Sequence, residues 1–293
     1  MEKPIYCIMP AMRNPEMTEA AVGDLLAQSV PVQVLLVLQG VDLPFRDRFL
    51  AIAEQEPRLW VWSHDPPLPS LSATWNRALQ CVWEVGGTEA LVVNNDVRLL
   101  PCTIQGLQDT LHATEALFIS AVGVRAEQYQ AAQQARGVQI NAGHRGGPDF
   151  SCFLISKAGH EKYPFDEGFI PAFCEDLDTH RRYMLGGDGD KIFSINLPYL
   201  HLNGGSNTLK SMTPEQRQRH EARIGQSRKH YVASWGGPVN QERYTIKGDA
   251  STDQDGVTTP ELQAACMART TTASRDSTLA PTSTATSDSV ANH

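Results

Sequence analysis

Ala90-Leu91-Val92-Val93-Asn94-Asn95-Asp96-Val97-Arg98-Leu99-Leu100-Pro101 is an apolar run that stops abruptly at two amides and a carboxylate. A short buried strand delivering polar groups at its C-terminal end is where an open α/β sheet places a ligand, so Asp96 is the first candidate for chemistry. Upstream, Pro4 to Pro10 reads as a strand, Thr18 to Gln28 has helical spacing, and Pro31 to Leu38 is a β-branched strand. Strand, helix, strand in so short a span is a βαβ unit, which implies parallel pairing. A helix over Phe45 to Gln55, a strand over Leu59 to His64 and a helix from the cap Ser70 through Trp83 to Gly86-Gly87 complete this half.

Downstream, Pro101 to His112 reads as a helix and Leu117 to Val122 as a strand. Arg125 to Pro148 changes character: a Gln/Ala-rich piece, then the glycine-rich Asn141 to Pro148, expected as a loop long enough to move. Ser151 to Ser156 returns to a strand, Glu175 to Leu185 to a helix ending at Gly186-Gly187, and Ile192 to Leu197 to a last core strand leading into Tyr199-Leu200-His201. Thr213 to about Tyr231 reads as a charged helix with Pro214 at its first position. Its Arg217, Arg219, Arg223, Arg228 and Lys229 alternate with Glu215 and Glu221, the pattern of a solvated face rather than a phosphate cradle. Beyond Lys247 the chain turns to Ser, Thr, Ala and Asp, too few apolar groups to offset ordering entropy. The expectation is one α/β domain over 1–247, a mostly parallel central sheet flanked by helices, with a disordered tail over 248–293.

The 293 residues are 41% hydrophobic, enough for a substantial core. A formal net charge of −8 gives no basic field for a phosphate backbone, which weighs against a nucleic-acid partner. The six cysteines are scattered without a C-x-x-C pair, so neither a zinc site nor a disulfide framework is expected and free thiols in a reducing compartment are. No apolar stretch approaches the roughly 18 to 20 residues of a membrane span. The expectation is a soluble cytoplasmic protein.

Asn94-Asn95-Asp96, Glu175-Asp176 and His201 all fall at ends of elements. Transfer of a sugar from a nucleotide diphosphate to a hydroxyl uses such parts together. The leaving diphosphate gathers charge that a carboxylate-held divalent ion stabilises, and the attacking hydroxyl needs a second carboxylate as base. Each residue also has a plainer use: Asp96 capping a turn, Asp176 as a helix N-cap, His201 in the turn before Asn203-Gly204-Gly205, and Trp60, Trp62 and Trp83 in packing.

Asn94-Asn95-Asp96 after Ala-Leu-Val-Val resembles the D-x-D type metal motif of GT-A glycosyltransferases. Gly146-Gly147 before a strand, Phe165-Asp166-Glu167-Gly168-Phe169, then Glu175-Asp176-Leu177-Asp178 with Arg181-Arg182 resembles the acceptor half of glycosyltransferase family 2. Ser72 to Ala78 looks like the segment before the metal motif, and Tyr231 to Tyr244, with Trp235-Gly236-Gly237, like the ending of a branch met in phage and bacterial genomes. The resemblance implies a GT-A-like domain with a nucleotide-sugar half (1–100) and an acceptor half (101–247). It implies a metal-dependent inverting transferase that takes a sugar from a nucleotide-diphosphate sugar, in the host cytoplasm if phage-encoded. In that scheme Asp96 and His201 hold the metal, Asp176 is the general base with Glu175 beside it, and Pro10, Asn14, Gln39, Asn76, Asn94 and Asn95 lie near the donor.

Two departures stand out. Leu38-Gln39-Gly40-Val41 replaces the acids that in the family hold base and ribose, and Asn94 removes a charge from the metal motif. A histidine ligand favours manganese over magnesium. The acceptor is left open among a glycan, a protein hydroxyl and a hydroxymethylated DNA base, as is the oligomeric state. The rivals are a non-catalytic nucleotide-sugar or glycan-binding protein and, further off, a nucleotidyltransferase, for whose basic phosphate loop Pro10 to Pro15 supplies only Arg13.

Overall fold

A computed structural model describes residues 3–135, 139–141, 143, 145–202 and 213–253, with the backbone alone for Gln216 and His220. The expected turn at Asn203-Gly204-Gly205 and the tail from residue 254 lie outside the described residues.

The first half alternates as its periodicity requires: β1 (Ile5–Ala11), α1 (Pro15–Leu26), β2 (Val32–Gln39), α2 (Leu43–Gln55), β3 (Leu59–His64), α3 (Leu71–Glu84) and β4 (Glu89–Val93). Asp42 accepts from Phe45 N (2.9 Å) to cap α2, and Ser70 accepts from Ala73 N (3.1 Å) to cap α3. The strands are apolar at successive positions because both sheet faces are covered. Cys7, Met9, Val34, Leu36 and Leu38 join one core with residues of α1 and α2. Ile8, Leu35 and Val37 join the other with Trp75, Leu79 and Trp83 of α3.

The second half holds β5 (Val97–Arg98), α4 (Thr103–Thr114), β6 (Phe118–Val124), α5 (Ala126–Gln134), β7 (Cys152–Ser156), α6 (Lys157–Lys162), α7 (Glu175–Leu185), β8 (Ile192–His201) and α8 (Pro214–Trp235). The eight strands form one sheet in the order β3-β2-β1-β4-β7-β6-β8-β5. Pairings β1–β2, β2–β3, β1–β4 and β6–β8 are parallel, whereas β7 runs antiparallel to β4 and β6, and β5 to β8. The sheet is therefore more mixed than strand-helix alternation alone implies. Helical crossovers fix direction only between consecutive βαβ strands, and β7 is reached through α5 and the glycine-rich segment instead.

Three further differences concern segments with weak local signals. The Gln/Ala-rich piece is helix α5, anchored where Tyr129 Oη donates to Leu99 O (2.9 Å). The end of the glycine-rich segment is pinned: Gly146 exchanges two backbone hydrogen bonds with Ser194 (2.9 and 3.0 Å), and a Cβ there would meet Ser194 Oγ at 2.7 Å. Past Lys247 the chain continues into a 3-10 turn over Ala250–Thr252, with Asp253 paired to Arg243 and bridged to Tyr244.

The C-terminal part packs on α7. Trp235, Tyr231 and Phe169 form a separate apolar cluster, and the buried Arg181 guanidinium lies 4.9 Å from the Trp235 ring centroid. Asp178, fully buried, accepts from Trp235 Nε1 (2.9 Å) and Arg182 Nε (2.9 Å) and pairs with Lys247. Among the described residues, no helix is long and apolar enough to cross a membrane, and the five cysteines are all free thiols.

Candidate functional site

The decisive geometry begins where β4 ends. After Asn94-Asn95-Asp96 the chain re-enters the sheet as β5, antiparallel to the end of β8, with Val97 opposite His201 and Arg98 opposite Leu200. Leu202 N donates to Asp96 O (2.8 Å), closing the ladder. This register brings together two side chains a hundred-odd residues apart: His201 Nε2 lies 3.2 Å from Asp96 Oδ2. Burial lowers the imidazole pKa, but the hydrogen bond and charge of Asp96, with the charge of Asp149 behind them, hold it above its ordinary value.

A carboxylate oxygen and an imidazole nitrogen, both still partly exposed, form a donor set that suits a divalent ion of mixed O/N preference such as manganese. Among the described residues no group of three or more His, Cys, Asp or Glu side chains converges, so the remaining positions around such an ion would fall to ligand oxygens and water.

The second pair opens α7. Phe173 (φ 85°) and Cys174 (φ 69°) take left-handed backbone conformations just before it, an arrangement that costs energy for residues with side chains and concentrates at functional sites. Cys174, not Asp176, is the helix N-cap, so the first-turn acids Glu175 and Asp176 face the positive end of the helix dipole without capping it. Asp176 Oδ1 accepts from Leu177 N (2.8 Å). Glu175 is only 8% exposed, and its Oε2 has no hydrogen-bond partner among the described residues. Burial, and then the charge of Asp176, push its carboxyl well above the usual carboxylate range.

Glu175 and Asp176 line one cleft of about 400 Å³ together with Asn94, Asp149, Ser151 and Ser194. Asp96 and His201 stand beside this cleft rather than on its lining. Asn94 connects them to it, its backbone N–H held by Ser151 O at 2.9 Å. Asp149 is a second link: its Oδ2 accepts from the Oη of Tyr199 (2.8 Å), two residues before His201 on β8, and its Oδ1 accepts from Ser151 N (2.9 Å). Asp149 is not among the site residues expected from the sequence. The available signal was a carboxylate following Gly146-Gly147-Pro148 at the mouth of a buried strand.

The remaining expected donor residues scatter in role. Pro10 lies near the end of β1 opposite Val37, and Asn14, at φ 62°, precedes α1 with its carbonyl accepting from Thr18. Asn95 donates to Arg13 O (2.9 Å) and Thr18 Oγ1 (2.8 Å), tying the Asn94–Asp96 turn to the loop after β1. Gln39 is buried at the end of β2, where its Oε1 accepts from Leu68 N (2.8 Å) and its Nε2 has no partner among the described residues. Its register neighbour His64 likewise has an unpartnered Nε2. Asn76 is saturated elsewhere: Nδ2 donates to Phe165 O (2.8 Å) and Glu167 Oε1 (2.9 Å), while Oδ1 faces Phe165 N (3.0 Å) and His160 Nε2 (3.0 Å). Trp83 is buried as expected, whereas Trp60 is 43% exposed and packs on one side, its ring centroid 6.0 Å from that of Tyr6.

No family model matches the sequence, and no curated protein does. Solved structures of similar fold include a mannosyltransferase from Pyrobaculum calidifontis in complex with GDP-Man and Mn2+, 13% identical, with a TM-score of 0.58 over 91% of this chain and 69% of that one. Another is the glucosyl-3-phosphoglycerate synthase of Mycobacterium tuberculosis in complex with Mn2+, UDP and glucosyl-3-phosphoglycerate, 15% identical, with a TM-score of 0.51 over 76% and 80% of the two chains. A third is S. aureus TarS 1-349, 13% identical, with a TM-score of 0.50 over 80% and 73%. The fold of this chain is thus of the GT-A type.

Proposed function

We propose that the protein is a metal-dependent inverting glycosyltransferase, nearest to family 2, that moves a sugar from a nucleotide-diphosphate sugar to a hydroxyl acceptor. The observation that carries this reading is the pairing of Asp96 with His201 beside a cleft that Glu175 and Asp176 line. Asp96 and His201 would hold the divalent ion, with manganese favoured by the imidazole, and the ion would supply charge to the leaving diphosphate. Pro10, Asn14 and the amide of Gln39 would border the nucleotide, and Asn94 the sugar. Asp176 takes the proton of the acceptor hydroxyl as its oxygen attacks the anomeric carbon. The bond from that carbon to the diphosphate oxygen breaks, and its electron pair leaves with the nucleoside diphosphate, inverting the anomeric centre.

A panel of nucleotide sugars with Mn2+, read by release of nucleoside diphosphate, tests the reading. Turnover is expected with one donor class, lost on chelation and reduced at least a hundredfold in Asp176→Asn and in Asp96→Ala. Unchanged turnover in both variants would sink it. One observation favours a second reading, a binding protein of the same fold: Asn94 stands where the metal motif has its first acid, which lowers the charge available to an ion. Calorimetric binding of a nucleotide sugar without hydrolysis or transfer would select that alternative.

A further inference from the structure

The cleft carries a chemical signature that bears on its acceptor. Its ionisable lining residues among those described are Asp149, Glu175 and Asp176, all acids. No basic side chain is among those lining residues; the charge of Arg228 reaches Cys174 next to Glu175, and Arg145 and Arg181 are engaged elsewhere. Arg145 stacks over the Phe193 ring (4.1 Å) and donates to Asp190 O (2.9 Å), and Arg181 is buried against Trp235 and donates to Tyr244 O (3.0 Å).

Two buried polar atoms on lining side chains have no partner among the described residues: Trp75 Nε1 and Glu175 Oε2. Orphaned buried polar atoms on the wall of a site call for a ligand or an ordered water. The indole can only donate, and a carboxylate can only accept. A hydroxyl accepts from the first and pairs with the second whether or not Glu175 holds its proton, whereas a phosphate or carboxylate group brings further negative charge against Asp149 and Asp176.

We propose that the acceptor is an uncharged polyol, a sugar ring or the end of a glycan, bound through neighbouring hydroxyls beside Glu175 and Asp176 in the cleft, and that acceptors bearing phosphate or carboxylate are excluded. One hydroxyl is the nucleophile facing Asp176, and its neighbour bonds Glu175. The raised pKa of Glu175 supports this arrangement, since a protonated carboxyl can also donate to a neutral oxygen. An acceptor on DNA is disfavoured by the same acids.

The inference rests on the proposed transferase activity, and the test separates the two. With Mn2+ and the donor found active, nucleoside diphosphate release is measured with methyl glucoside, methyl mannoside, maltose and glycerol. The anionic set is glucose 6-phosphate, glucuronate, 3-phosphoglycerate and a hydroxymethylcytosine oligonucleotide. At least tenfold greater stimulation by a neutral member than by any anionic one is expected. Glu175→Gln, which keeps a neutral donor, should hold the acceptor KM within about threefold, whereas Glu175→Ala should raise it tenfold or more without a matching change in donor KM. An anionic acceptor that works as well as the neutral ones, or donor hydrolysis that none of the neutral set accelerates, overturns the acceptor class. Absence of donor turnover with every nucleotide sugar removes the transferase reading itself.

Discussion

Asn76 separates a donor-binding role from a scaffolding one, and the two make opposite predictions. Trp83 Nε1 can only donate, so His160 Nδ1 (3.0 Å) must accept; His160 is then neutral with its proton on Nε2, aimed at Asn76 Oδ1. Asn76 thereby links α3, α6 and the backbone at Phe165, whose ring packs 4.9 Å from Trp75 on the cleft wall. Replacing it with alanine leaves three groups without partners: His160 Nε2–H, Phe165 N–H and Phe165 C=O. Each buried orphan costs about 1 to 3 kcal/mol, and with some entry of water the sum is set at about 3 kcal/mol. For a domain of this size that is roughly 6 to 12 °C in Tm. Thermal and urea unfolding measure the loss, and calorimetric titration of UDP and GDP with Mn2+ measures nucleotide affinity. A lower Tm with nucleotide affinity within about twofold of wild type is expected. An unchanged Tm with tenfold weaker nucleotide binding would refute the scaffolding assignment and restore Asn76 to the donor site.

His160 itself sets an acid limit. Burial depresses its pKa to about 4, so between the unfolded value of 6.5 and about 4 the unfolded chain binds the extra proton, and stability present above pH 6.5 is lost as pH falls; the ceiling is about 3 kcal/mol. Urea midpoints from pH 7.5 to 4.5 should fall less steeply in Trp83→Phe, which gives an imidazolium room to donate, and identical slopes would count against this tautomer. Glu175 acts in the opposite direction. Its folded pKa is raised, so the folded state holds the proton longer and stability declines as pH rises above the ordinary carboxylate value. Glu175→Gln should therefore gain Tm over wild type at pH 8.5 and match it near pH 4.5; an equal difference at both would point to packing instead. Asp178→Ala removes the buried carboxylate shared by Lys247, Arg182 and Trp235 Nε1, leaving the indole without a partner, Lys247 with Asp166 and Arg182 with Thr179, and should cost about 3 to 5 kcal/mol by urea denaturation. A loss under 1 kcal/mol would show that the C-terminal helix does not depend on it.

The sequence by itself determined the alternating half. In β1 and β2, consecutive apolar residues state that both faces are covered, and the helical spacings between the strands leave parallel pairing as the compact solution. The strand stopping at Asn94-Asn95-Asp96 and the acids opening α7 were equally legible, because a polar group placed next to an apolar run is a local signal. Other features had no such signal. The antiparallel insertion of β7 depends on where a long connection returns. The contact of Asp96 with His201 depends on the register of a two-residue strand, β5, against the end of β8. The saturation of Asn76, the unpartnered Oε2 of Glu175 and the position of Asp149 are likewise properties of neighbours brought from distant parts of the chain. Residue types and spacing fix which groups reach the C-terminal edge of the sheet. Which of them meet, which are shielded from water and which are already satisfied is decided only when the two halves close on each other, because hydrogen-bond partners and desolvation are set by three-dimensional neighbours rather than by order along the chain.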